Sequence, residues 1–386
     1  MKKICDDIWY VGVYDTDIDL FESQYVTPNG VTYNSYVVLD DKVAVIDTVD
    51  MHKLDEWMSN LDMALDGRTP DYLVVQHMEP DHSAGIARLA ERFADMKIVA
   101  SQKAFDMMGR FFEGLDLSGR TVSVKEGDVL DLGAHKLTFV AAPMVHWPEV
   151  MVTFDTTSRT LFSADAFGTF GPADDLSGWN DEARRYYINI CGKYGRQVQA
   201  LLKKAQSLDI ATICPLHGPV LKENLGDYLA LYDTWSSYRP ETDGVTIAYA
   251  SIYGGTKRAA LILADELKSR GVEVVCFDLS RCDKSEVVAQ AFRMSRMVVA
   301  SATYDASIFP PMHNFLHTLQ LKGFKSRRVG VIENGSWAPI AAKVMTDMLD
   351  KMADITVVQP IVTIKSRPHT ADIDSIKLLA DALLAK

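Results

Sequence analysis

The residues best suited to chemistry crowd into one stretch, VVQHMEPDHSAG at 74–85, where His77, Glu79, Asp81 and His82 fall within six positions. Imidazoles and carboxylates together are the donor types that bind zinc or iron. Three further residues share their setting just beyond an apolar run: His146 after LTFVAAPMV, Asp165 after TLFSA and His217 after IATICPL. Taken singly, each is more often a hydrogen-bonded loop residue; a polar loop with a capping Asp explains any one of the 77–82 residues but poorly explains all four. Taken together they offer four histidines and three carboxylates. That set is too large for one tetrahedral structural site and suits two metals sharing a bridge.

The elements that must carry these residues are legible from periodicity. YLVVQH reads as a buried strand and ARLAERFA as a helix, which puts the 77–82 cluster on a strand-to-helix loop. Around it, YNSYVVLDDKVAVIDTV reads as a hairpin turning at DDK, residues 52–65 as a helix, MKIVAS as a strand and QKAFDMMGRFF as a helix. Short strands follow through TVSVKEGDVLDLGAHKLTFVAA and VMVTFDTTSRTLFSADAF, then an interrupted helical region across ARRYYINICGKYGRQVQALLKKAQSL. Strands mixed with helices in this way predict a sandwich of two sheets with helices outside.

The pattern changes after LYDTWSSYRPETDG (231–244), which is read as a domain joint. Beyond it, five apolar strands alternate with helices and predict a parallel, doubly wound sheet, whose ligands bind past the C-terminal strand ends. SIYGGTKRAA (251–260) joins the first of those strands to its helix. Its hydroxyls, backbone N–H groups and helix N-terminus can wrap an anion, although an ordinary Gly-rich turn would look similar. SATYDAS (301–307) and ENGSW (333–337) are expected beyond the third and fourth strand ends. Tyr304 and Trp337 there read either as core residues or as faces for a planar ligand.

Bulk properties bound the function. The 386 residues allow two domains, and the 48% apolar fraction supports full cores. A formal net charge of -12 opposes nonspecific nucleic-acid binding. No apolar run is long enough for a membrane span, and no signal peptide is evident. The five cysteines form no CxxC pair, which points to a reducing, cytoplasmic setting without a cysteine-only metal site.

H-x-E-x-D-H at 77–82, followed by His146, Asp165 and His217, resembles the flavodiiron proteins. The resemblance implies a metallo-β-lactamase-like αββα sandwich over 1–242 and a flavodoxin-like FMN domain over 243–386. Glu79 stands where hydrolases of that superfamily carry a second histidine, and a harder donor there favours iron over zinc. The resemblance further implies two irons per chain: one on His77, Glu79 and His146, the other on Asp81, His82 and His217, with Asp165 bridging. It assigns FMN contacts to Ser251, Ile252, Tyr253, Gly254, Gly255, Thr256, Ala302, Thr303, Tyr304, Asp305, Asn334, Gly335, Ser336 and Trp337. No catalytic residue beyond the metal site is implied; Trp147, Tyr14 and Tyr25 are candidate pocket walls. The expected activity reduces dioxygen to water, nitric oxide to nitrous oxide, or both. A head-to-tail homodimer or dimer of dimers would set each flavin against the other copy's irons. Electrons would come from an external donor, rubredoxin or a reduced deazaflavin. A dedicated nitric oxide reductase is the nearest alternative. A zinc hydrolase with a fused flavodoxin-like domain is opposed by Glu79, and a plain electron carrier by the seven ligand candidates.

Overall fold

A computed structural model describes residues 2–385. Grouped by contact, the chain forms two compact units, one of residues 1–187 and 196–233, the other of 188–195 and 234–386.

The first unit is the expected sandwich. One sheet runs in the order Lys2–Lys3, Ile8–Tyr10, Tyr36–Leu39, Val43–Ile46, Tyr72–Val75, Lys97–Ala100 and Thr121–Ser123. The other runs Val129–Asp131, Lys136–Ala141, Met151–Asp155, Thr160–Phe162 and Thr212–Cys214. Because strand side chains alternate between faces, each sheet sends one row inward. Tyr36, Val38, Ile46, Val74 and Val99 from the first sheet meet Leu137, Phe139, Phe162 and Cys214 from the second in one buried core. The helix Leu54–Leu65 buries Leu54, Trp57, Met58, Leu61 and Leu65, an i, i+3, i+4 stripe. The DDK hairpin turn lies between the paired strands Tyr36–Leu39 and Val43–Ile46, as expected.

The second unit is a parallel sheet in the order Glu273–Asp278, Thr242–Ala250, Met294–Tyr304, Arg327–Asn334, then Ile355–Val357 with Val362–Ile364. That is the 2-1-3-4-5 order of flavodoxin-like folds. Gly255–Ser269 packs with Thr370–Leu384, while Pro310–Leu321 packs with both Lys284–Arg293 and Ala341–Leu349.

Three details differ from expectation. The last strand is broken between 357 and 362, where Pro360 has no N–H to give a ladder. Of the expected 301–307 loop only a tight turn at 305–306 remains, because the third strand runs through Tyr304, where MVVASATY reads as strand, and pairs back with Ser307–Ile308. The 231–244 joint is helical through Ser236, where Tyr232 and Trp235 are buried, and Thr242 already opens the next strand. The segment 188–195 belongs with the second unit. There Asn189 Nδ2 donates to Ser285 O at 3.0 Å and Tyr238 Oη donates to Gly192 O at 2.9 Å.

Candidate metal centre

All seven predicted ligands meet at one end of the sandwich. Each leaves the tip of a strand or the short helix just after one. Val43–Ile46 ends at Asp47, a fully buried carboxylate that accepts from Gln76 N at 2.8 Å and Gln76 Nε2 at 3.0 Å. Burial pushes the Asp47 carboxyl up to about 6, against the lowering effect of those donors. This anchor fixes where the chain leaves Tyr72–Val75, and hence where His77 begins. Glu79 precedes the four-residue helix Pro80–Ser83, whose Pro occupies the first turn, so Asp81 and His82 are helical rather than in the loop. Thr48 Oγ1 donates to His82 O at 2.8 Å and holds that turn.

The side chains form two groups around Asp165. In the first, His146 Nε2 lies 3.0 Å from Glu79 Oε2 and 3.1 Å from Asp165 Oδ2, and His77 Nε2 lies 3.2 and 3.4 Å from the same oxygens. In the second, His82 Nε2 is 3.0 Å from His217 Nε2, and Asp81 Oδ2 is 3.4 and 3.3 Å from the two. Asp165 Oδ1 turns to this second group, 3.3 Å from His82 Nε2. One carboxylate therefore presents an oxygen to each group.

The tautomers are fixed from behind. His217 Nδ1 is 2.7 Å from Thr32 O, and a carbonyl only accepts, so Nδ1 carries a proton and Nε2 is turned inward. His77 Nδ1–H likewise donates to Glu149 Oε1 at 2.9 Å, which also accepts from Met78 N at 2.9 Å. A carboxylate behind a ligating imidazole orients the ring and raises its basicity.

The chemistry of this donor set fits a pair of cations. Both Asp81 oxygens, Asp165 Oδ1 and His82 Nδ1 are buried without a hydrogen-bond partner. Buried carboxylate oxygens left so are costly unless positive charge faces them. Burial disfavours the charged form of His77, yet Asp165, Glu149 and Glu79 hold its pKa well above the ordinary value. Burial similarly opposes charge on Asp165, yet His77, His146 and His82 hold its carboxyl well below the usual range. Such mutual charging is the field that a metal pair would satisfy.

A family model described as "ODP family beta lactamase" matches residues 31–218. Over 382 residues the chain is 30% identical to the nitric oxide reductase of Moorella thermoacetica, covering 96% of this chain and 94% of that one.

The chain belongs to the flavodiiron protein family.

It is 31% identical over 345 residues to the anaerobic nitric oxide reductase flavorubredoxin of Vibrio vulnificus, covering 86% of this chain and 69% of that one. Among solved structures, the rubredoxin oxygen:oxidoreductase of Desulfovibrio gigas superposes with a TM-score of 0.93 at 27% identity, over 99% of this chain and 97% of that one. This flavodiiron protein is an oxidoreductase, with both expected folds present.

Its rings wall the centre. Trp147 meets His77 edge-on at 5.3 Å, as the sequence suggested. Phe21 meets His217 edge-on at 5.3 Å, and Tyr33 and Tyr186 lie 6.1 and 5.5 Å from the same ring. The other suggested walls do less. Tyr25 packs on Phe170, and Tyr14 is part-exposed and donates to Asn29 O at 2.6 Å. Asp47, Glu149 and Thr32 were missed. Asp47 follows VAVI at a strand end, the signal that found the others, and Glu149 lies only three residues past His146. Thr32 holds His217 through its carbonyl while its Oγ1 accepts from Gly218 N at 2.7 Å, and nothing in the local pattern signals it.

The predicted flavin residues gather at the C-terminal edge of the second unit's sheet. Gly254 has φ +87°, a conformation glycine adopts without strain, and donates to Ser251 Oγ at 3.2 Å as the helix Gly255–Ser269 begins. A Cβ on Gly255 would overlap Ser366 O, so only glycine lets the two backbones touch. Thr256 is buried, whereas Ile252, Tyr253, Tyr304 and Trp337 expose large apolar surfaces. Ala302, Thr303 and Tyr304 lie in the third strand, and Asp305 turns the hairpin with φ +47°. Thr303 Oγ1 accepts from Ile340 N at 3.0 Å. Asn334 is paired twice with the Ser366 backbone, Gly335 N donates to Ile364 O at 3.0 Å, and Ser336 Oγ meets Ser366 Oγ at 2.6 Å. Asn334 and Ser336 therefore brace a fourth loop at 364–367, which the sequence did not single out.

Proposed function

We propose that this flavodiiron protein reduces dioxygen to water, nitric oxide to nitrous oxide, or both. The proposal assigns one iron to His77, Glu79 and His146 and a second to Asp81, His82 and His217, bridged by Asp165. The observation that carries it is the convergence of seven donors into two groups, with Asp165 offering one oxygen to each. The relatives named for oxygen and nitric oxide chemistry support the substrate class.

An iron pair held by these residues would supply the electrons that reduce a small gas. The chain's own residues set the conditions. Glu149 and Thr32 hold two imidazoles with their Nε2 atoms inward. Trp147 and Phe21 keep apolar edges against those rings and limit water. Carboxylate donors temper the positive charge, and the imidazoles limit the net negative charge.

FMN in the second unit is the proposed relay, held at its phosphate by 251–256 and flanked by 302–305 and 334–337. The exposed Tyr253, Tyr304 and Trp337 support this assignment, because an apolar planar ring would cover surface now facing water. The functional domains are taken as 1–242 and 243–386, working in a head-to-tail homodimer. The donor is proposed to be rubredoxin. Among the described residues, no helix is long and apolar enough to cross a membrane.

The test is anaerobic reduction of the purified protein, with iron and FMN counted, then rapid mixing with each gas separately. The expected result is two irons and one FMN per chain and reoxidation by at least one gas. Asp165→Ala should lose iron and turnover while keeping the flavin. Normal turnover by that variant would sink the bridging assignment.

A further inference from the structure

Behind Asp165 lies a small cavity with no role in the metal site itself. It holds about 20 Å³ of space for the centre of a water-sized sphere, enough for one small molecule. Its inner end is the turn that carries the bridging carboxylate, since Ala166 and Phe167 line it immediately after Asp165. That turn is tight: Ala166 N donates to Ser163 O at 3.1 Å and Gly168 N to Asp165 O at 3.0 Å. One turn of backbone separates the cavity from the metal donors. Its outer end is formed by the helix Gly195–Ala205 and the residues just past it, where Leu202, Ala205 and Leu208 are partly exposed. Leu161 and Val198, both buried, lie along it.

The lining decides what it can hold. Its only side-chain polar groups are Ser163 and Tyr232, and both are engaged. Ser163 Oγ donates to Ala166 O at 2.7 Å, and Tyr232 Oη accepts from Phe167 N at 2.5 Å. A buried water needs two to four polar partners, and apolar cavities of this kind stay dry and take up xenon or small apolar molecules. We propose that this cavity is a binding site for an apolar diatomic gas, holding the substrate on its way from the protein surface to the Asp165 turn. The inference rests on the reading of the centre as an oxygen or nitric oxide reductase.

The test uses the iron- and flavin-loaded full chain. Crystals pressurised with xenon should show a xenon atom between Leu161, Ala166 and Val198, and none in Ala205→Phe, whose ring fills the space. In solution, Ala205→Phe should lower kcat/KM for the gas by about threefold or more, while kcat at saturating gas and the iron content stay near wild type. Val198→Met fills the same space from a second position and should act in the same direction. Xenon absent from the wild-type cavity, or an unchanged kcat/KM in both filling variants, overturns the proposal and leaves a mere packing defect. Xenon binding is read without turnover. A protein that took up xenon there but consumed neither gas would therefore indict the reading of the metal centre instead.

Discussion

Replacing Glu149 by Gln tests whether the group behind His77 controls the metal. In the native chain a single oxygen, Oε1, accepts from both His77 Nδ1 and Met78 N at 2.9 Å. Glutamine keeps a carbonyl oxygen there but removes the charge, and charge-assisted hydrogen bonds are about twice as strong as neutral ones. Its amide would place two donors where Oε2 is now buried without a partner, at a cost of about 1–3 kcal/mol in folding stability. Loss of such an outer partner lowers metal affinity by about 10–100-fold, which is about 1.4–2.8 kcal/mol. The assay is iron retained per chain across a graded chelator series, with flavin absorbance read on the same sample. One iron should leave at chelator concentrations lower by about that factor, with flavin unchanged. Combining Glu149→Gln with His77→Asn should cost less than the sum of the two, because they act through one contact. Iron retention and turnover equal to wild type would refute the reasoning.

Asn34→Ala removes the Nδ2 donor that holds Pro215 O at 2.8 Å and Gly218 O at 2.9 Å. It should destabilise the fold by about 1–3 kcal/mol in denaturant titrations and weaken the iron on His217 before the other. Gly255→Ala forces Ser366 away from the 251–256 loop proposed to hold the phosphate, so purified protein should carry far less FMN while iron per chain holds. His135 lies away from the centre and donates from Nδ1 to Asp155 at 2.7 Å; Asp155 raises its pKa above the ordinary value. Its stabilisation is therefore complete below the unfolded pKa of about 6.5 and is lost as pH rises through the folded pKa. His135→Gln should lower Tm most at pH 5–6 and flatten the fall of Tm toward alkaline pH in thermal scans.

Much of this was readable in the sequence because strand tips are readable. An apolar run that ends in a histidine or aspartate announces both the element and the direction in which its last side chains can reach. His146, Asp165 and His217 stand out in this way, and it is their number beside the 77–82 cluster, not any one position, that points to a metal pair. Glu149 follows no apolar run of its own and acts on His77, 72 positions earlier, so spacing could not pair them. Asn334 reads as a ligand contact because it sits at a strand end. Its amide also pairs with the Ser366 backbone, 32 residues on, in a loop whose composition gives no signal. MVVASATY reads as a strand through Tyr304 and is one, but pairing with Ser307–Ile308 leaves only a tight turn of the expected 301–307 loop.

The excursion at 188–195 bears on how such a protein can be rearranged. A ribosome finishes every proposed metal ligand by His217, but it has already threaded eight residues destined for the later unit. A scission at 233 would thus not yield two interchangeable cassettes. The leading piece would keep Asn189, and the trailing piece would present Ser285 without the amide that caps it. Grafting the flavodoxin-like piece onto another protein would succeed only if a surrogate for that short strap travelled with it.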